Sequence, residues 1–132
     1  MTPLGALEAS ALGQAIREWF PVIKIVHLAG VAVLLGTIAT VDLCLLRKKP
    51  VKGLLPWTVA SFLVIVPTGL AMFAGYASDL VASPVFALKM GLILCAGLNA
   101  ALFHTGVLPP RAASALSLAL WASVVTCALF LL

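Results

Sequence analysis

FPVIKIVHLAGVAVLLGTIATVDLCLL, residues 20–46, carries only Lys24, His27 and Asp42 as readily charged side chains in an otherwise apolar run. A bilayer core about 30 Å thick is crossed by roughly 20 mostly apolar residues in a helix. This stretch is long enough, and Pro21 suits the first turn of the helix it predicts. Working outward, RKKPVKG (47–53) closes the span with Pro50 and Gly53 as breakers. A second span is expected over about 54–76, with Trp57 and Tyr76 near its two ends as an aromatic belt places them. Pro67 sits centrally and predicts a kink, with Thr68 and Gly69 beside it to relieve a freed carbonyl or admit a neighbour. After the turn GYASDLVASP come a third span over about 84–107, the loop GVLPPR, and a fourth span over about 112–132. The fourth has no charge and is rich in Ala and Ser, which let helices approach closely.

The composition agrees. Of 132 residues, 64% are hydrophobic and 9% charged, and the mean hydropathy is +1.23. A soluble domain of this size cannot hide so much apolar surface. The expected fold is all-α: a four-helix transmembrane bundle forming one integral membrane domain over 1–132, with a short N-terminal interfacial helix. That helix is read from MTPLGALEASALGQAIREWF, where Leu7, Ala11, Leu12, Ile16 and Trp19 recur on one face. The stretch lacks the basic start and continuous apolar core of a signal peptide.

The net charge of +4 does not point to nucleic acid, because Arg47, Lys48, Lys49 and Lys52 crowd one short loop. No basic surface large enough to follow a phosphate backbone remains. The cluster is a topology signal. With Arg111 it puts both inter-span loops of that side in the cytoplasm. Both termini are then expected to be periplasmic, in a multi-pass protein of a bacterial inner (plasma) membrane. Cys44, Cys95 and Cys127 all fall within spans, odd in number and without a CxxC, and read as small apolar filler.

Ionisable groups inside a span usually mark a cofactor, a proton path or a substrate route. At 1.5 Å of rise per residue, two layers emerge. Lys24, His27, Met72 and Lys89 lie outward of the midplane, His27 and Met72 by about 9 Å and Lys89 by about 10 Å. Asp42 and His104 lie inward by roughly 12–14 Å. The two histidines then differ in depth by about 20 Å. One haem ligated by both would need ring nitrogens about 4 Å apart, from metal–nitrogen bonds of about 2 Å. A bis-histidine haem is therefore disfavoured, and His27 is the better ligand.

His27 has Gly30 beside it, with no side chain to obstruct a flat macrocycle, and Lys24 one turn away to pair a propionate. Lys89 is a propionate partner or a second axial ligand, and Met72 is a third candidate. The bland alternative for His27 is a core histidine bonded across helices. For Lys24 and Lys89 it is snorkelling to the interface. His104 either snorkels or pairs with Asp42 at matched depth, holding two helices together or serving a proton path. Asn99 at mid-membrane is expected to bond between helices.

The stretches HLAGVAVLLGTIATVDLCLLR, VPTGLAMFAGY and FALKMGLILCAGLNAALFH resemble those of a broad group of bacterial four-helix membrane proteins. The group takes in CopD-like copper-resistance membrane domains, the membrane-embedded protoporphyrinogen oxidases of haem synthesis, and small uncharacterised members, to which the likeness is closer. The resemblance covers three of the four helices. It implies that a first-helix histidine and a lysine opening the third helix, here His27 and Lys89, serve haem-linked function.

The expected function is a haem-b-binding protein for electron transfer or a membrane redox reaction, with His27 on the haem iron. One alternative is a non-catalytic subunit of a larger membrane complex. Another is a copper-handling protein, ranked lower because Met72, Met90 and Cys95 are scattered. Expected partners are the lipid bilayer, haem, and a homo-oligomer or larger membrane complex.

Overall fold

Proline, serine and glycine punctuate the chain where its helices begin and end. The computed structural model describes residues 1–131. They are all-α: α1 (Pro3–Ala9), α2 (Ala11–Glu18), α3 (Phe20–Leu46), α4 (Leu55–Gly75), α5 (Ala77–Ala82), α6 (Pro84–His104) and α7 (Pro110–Leu131). The helices α3, α4, α6 and α7 are long and apolar enough to cross a membrane. Of the most apolar 18-residue window in each, between 11% and 17% is buried inside the protein. The remaining apolar faces call for lipid or another apolar partner. The expected spans agree with these helices to within a few residues, and Leu132 lies outside the described residues.

The N-terminal segment is helical as expected, but it forms two helices rather than one. Ser10 ends α1 and caps α2, its hydroxyl accepting from the Gly13 N–H. A serine in extended backbone is a good N-cap and a poor helix interior. GYASDLVASP, read as a turn, contains the short helix α5.

Two turns that follow long helices use the same hydrogen-bond pattern with different residues. After α6, Gly106 adopts φ +81° while Val107 N–H bonds the Leu102 carbonyl and Gly106 N–H bonds that of Phe103. After α3, Lys48 occupies the equivalent left-handed position at φ +54°, with Lys49 N–H on the Cys44 carbonyl and Lys48 N–H on that of Leu45. Both are glycine-type helix stops, and a side chain in that region is disfavoured. Lys48→Gly is therefore expected to stabilise the protein by up to about 1 kcal/mol. Denaturant titration in mild detergent checks this, and a lower midpoint for the variant rejects it.

The chain divides into two compact units, residues 1–36 with 55–83 and residues 37–54 with 84–132. In the first, the early part of α3 packs on α4 through small residues. A Cβ on Gly30 would sit 3.0 Å from Ile65 and 3.2 Å from Val64. The two short N-terminal helices fold onto the end of α4 and onto α5. Ile16 is buried against Gly75, and Arg17 Nε donates to the Gly75 carbonyl at 2.8 Å. The Arg17 guanidinium lies 5.3 Å over the Tyr76 ring, which meets Phe20 edge-on at 4.9 Å. Glu8 accepts from the Ser78 N–H and faces Arg17 at 3.6 Å. In the second unit, α6 and α7 form an antiparallel pair joined by Gly106, with residues 37–46 of α3 beside them.

Candidate functional site

His27 projects from α3 toward the stretch of α4 where Pro67 interrupts the donor pattern. Proline removes one backbone N–H, yet α4 runs unbroken through it. Thr68 turns its hydroxyl back on its own helix, 2.6 Å from the Val64 carbonyl and 3.2 Å from that of Ile65. The same oxygen lies 2.8 Å from His27 Nδ1. A hydroxyl has one proton and two lone pairs. With that proton directed to Val64, the imidazole donates from Nδ1, which assigns the tautomer and puts the basic lone pair on Nε2.

Gly69 completes the arrangement. A Cβ there would stand 3.3 Å from His27 Cε1, so the ring lies in the space that the missing side chain leaves. Thr68 and Gly69 were expected to relieve a carbonyl or admit a neighbour. Thr68 bonds the Val64 and Ile65 carbonyls rather than that of Leu63, which Pro67 frees, and Gly69 admits the His27 ring.

The other expected site residues divide between the units. Lys24 and Met72 belong with His27 in the first unit. Lys24 is half-buried, with its ammonium 6.0 Å over the Phe20 ring. Met72 is half-buried one turn beyond Thr68 on α4. Lys89 is half-buried in the second unit. Beside it, Leu88, Leu92, Ala122, Ser123, Thr126 and Cys127 line a shallow groove of about 450 Å³.

Two expectations need correction. The face of Gly30 is not open to a macrocycle: Ile65 and Val64 fill it, because the glycine lets α3 and α4 approach closely. Asp42 and His104 form no ion pair among the described residues. Asp42 is buried, and its Oδ2 has no hydrogen-bond partner among the described residues. His104 is exposed at the end of α6, its ring 5.3 Å from that of Phe103. Matched depth did not determine which way either side chain faces around its helix.

Asn99 bonds between helices as expected, its Nδ2 donating to the Ala113 carbonyl at 2.9 Å. Ser114, buried on α7, was missed. A serine in an Ala-rich apolar helix carries no sequence signal that separates a polar cluster from small-residue packing.

Comparison with protein-family models, with curated proteins and with solved structures finds no match. Among the described residues no group of three or more His, Cys, Asp or Glu side chains gathers to hold a metal ion. The donor chemistry that fits a haem is one oriented imidazole. A metal-binding histidine typically donates its other ring N–H to a fixed acceptor, which sets the ring and raises its basicity. Thr68 is such an acceptor for His27.

Proposed function

We propose that the protein is a multi-pass membrane protein of the bacterial inner membrane that binds haem b through His27, for electron transfer or a membrane redox reaction. The observation that carries this reading is the His27–Thr68 pair, which holds the imidazole in the tautomer that ligates through Nε2. Haem, when bound, supplies the one-electron chemistry. The chain's own residues bind and orient. His27 would hold the haem iron through Nε2, and Thr68 would keep the ring proton on Nδ1. Lys24, one turn along α3 from His27, pairs with a propionate. Met72, on α4 of the same unit, would be the thioether ligand. The family likeness at His27 supports its assignment, and the likeness at Lys89, which belongs to the second unit, gives that lysine a haem-linked role of its own.

A visible spectrum of the purified, haem-supplemented protein tests this. A Soret band is expected, and its absence rejects the reading. The rejected case favours a non-catalytic subunit of a larger membrane complex. That alternative has its own support in the filled Gly30 face and the outward apolar faces of all four long helices.

The orientation proposed from loop charge puts residues 47–53 and 106–111 in the cytoplasm and α5 on the periplasmic side. Asp79 and Lys52 are exposed positions for testing it. In a variant without native cysteines, Asp79→Cys is expected to react with an impermeant maleimide in spheroplasts, and Lys52→Cys only after permeabilisation. The opposite pattern inverts the topology.

A further inference from the structure

The second unit concentrates positive charge that its own residues do not answer. Of the chain's eight Lys and Arg residues it holds Arg47, Lys48, Lys49, Lys52, Lys89 and Arg111, with Asp42 as its one acidic residue. Asp42 is buried, whereas all of these cations except the half-buried Lys89 are exposed. Among the described residues none of them pairs with a carboxylate, and the ion pair found there, Arg17 with Glu8, lies in the first unit.

Four of the cations fall within residues 47–52, so at most about 20 Å of extended chain holds them together. The helix stop fixes where this run begins. Lys49 N–H bonds the Cys44 carbonyl at 2.8 Å and Lys48 N–H that of Leu45 at 3.2 Å, which ties the run to the last turn of α3. Lys48 stands at φ +54°, where a side chain is disfavoured, while the matching stop after α6 has Gly106. Leu43, one turn before Arg47, is exposed. In a chain of four spans the first-to-second and third-to-fourth connections emerge on the same side. That places Arg111, exposed at the start of α7, and exposed Val107 on the side of the basic run.

The surroundings select the occupant. The counter-charge must be anionic and must lie where an apolar helix ends, with apolar side chains beside the cations. Phospholipids meet both conditions, because their phosphates lie at the edge of the hydrocarbon layer and their chains continue along the helix. A free anion makes no use of Leu43 and Val107. A nucleic acid needs a basic surface longer than this loop.

We propose that residues 47–52, with Arg111, form a docking surface for anionic phospholipid headgroups on the second unit, and that bound lipid stabilises this unit. The surface goes beyond the haem reading and depends on nothing bound at His27. Each basic residue is expected to add about fivefold to the preference for an anionic over a zwitterionic lipid.

The test uses the full chain without added haem, in mild detergent, titrated with dioleoylphosphatidylglycerol or dioleoylphosphatidylcholine in mixed micelles. Phosphatidylglycerol is expected to raise the melting temperature saturably, by about 3–8 °C at roughly ten times its half-saturating concentration. Phosphatidylcholine is expected to leave it nearly unchanged. The response should collapse in about 1 M NaCl, where screening acts over about 3 Å. Combining Arg47→Gln, Lys48→Gln, Lys49→Gln and Lys52→Gln is expected to raise the half-saturating concentration on the order of 100-fold. Lys48→Arg, Lys49→Arg and Lys52→Arg together should retain the response. If the four Gln substitutions prevent folding, Lys52→Gln alone decides, with a loss of about fivefold. His27→Ala is expected to respond as the wild type does, so this proposal and the haem reading fail separately. Equal stabilisation by the two lipids, or a response surviving the Gln substitutions, overturns the proposal. A response that inorganic phosphate or polyglutamate reproduces assigns the surface to a free anion or an acidic protein and overturns it equally.

Discussion

His27→Ala is expected to abolish the Soret absorbance of the haem-supplemented protein and, of the variants considered for the His27 site, to have the largest effect. The His27 imidazole is oriented by its contact with Thr68, and the tautomer follows from where the Thr68 proton goes. Nδ1 is committed to Thr68 at 2.8 Å, and the Thr68 proton is committed to Val64 at 2.6 Å. Thr68→Val keeps the shape and removes the acceptor. It is expected to weaken haem affinity by about 10- to 100-fold, the usual range for losing the partner of a metal-binding histidine. Thr68→Ser restores the oxygen and should recover most of that loss.

Gly69→Ala places a methyl 3.3 Å from Cε1, so it is expected to shift the Soret maximum by displacing the ring. His104→Ala should leave the spectrum intact, since that ring is exposed beside Phe103 in the other unit. Added imidazole separates ligand from scaffold, because it should restore a band to His27→Ala if only the nitrogen was lost. A wild-type band that survives His27→Ala moves the ligand elsewhere.

Gly13→Ala is expected to be the most damaging single methyl outside the long helices. Gly13 is buried where α2 turns past α1. A Cβ there would stand 2.6 Å from the Leu7 carbonyl oxygen and 2.8 Å from the Glu8 carbonyl carbon. These are backbone atoms, so no rotamer change relieves the clash and α1 must move. Overpacking of this kind costs about 1–3 kcal/mol. Moving α1 also pulls Glu8 from Ser78 and Arg17. Hydrogen exchange is expected to speed up over residues 3–18 and to stay unchanged over 84–131. Gly91→Ala, where a Cβ meets nothing within 4 Å, is the neutral control. Unchanged protection of residues 3–18 in Gly13→Ala contradicts the prediction.

The long helices were legible in the sequence because hydropathy over some twenty residues reports a solvent requirement, and no tertiary detail can override it. Their ends were legible to within a few residues because Pro84, Pro110, Gly53 and Gly106 punctuate the chain. What the sequence did not disclose was rotation. Depth along a helix follows from residue number, but the direction of a side chain around it depends on neighbours that an all-apolar pattern does not identify. Asp42 and His104 share a depth and make no pair. Gly30 and Gly69 look alike in sequence, yet one admits Val64 and Ile65 while the other admits His27. The break at Ser10 was not anticipated, because the apolar face running through it suggested one helix.

The clip between the two ends of the first unit has a consequence for biosynthesis. Glu8 meets Ser78 across 70 residues, and Arg17 meets Gly75 across 58. Neither contact can form until the second long helix has crossed the bilayer and α5 has emerged. At ribosomal speeds of about 5–20 residues per second, the opening helices wait on the order of 4–14 s for their partners. During that interval the apolar face around Ile16 lacks the Gly75 surface that covers it in the folded unit. Docking of α1 and α2 is thus a late event, and it completes the unit only after both its long helices are made.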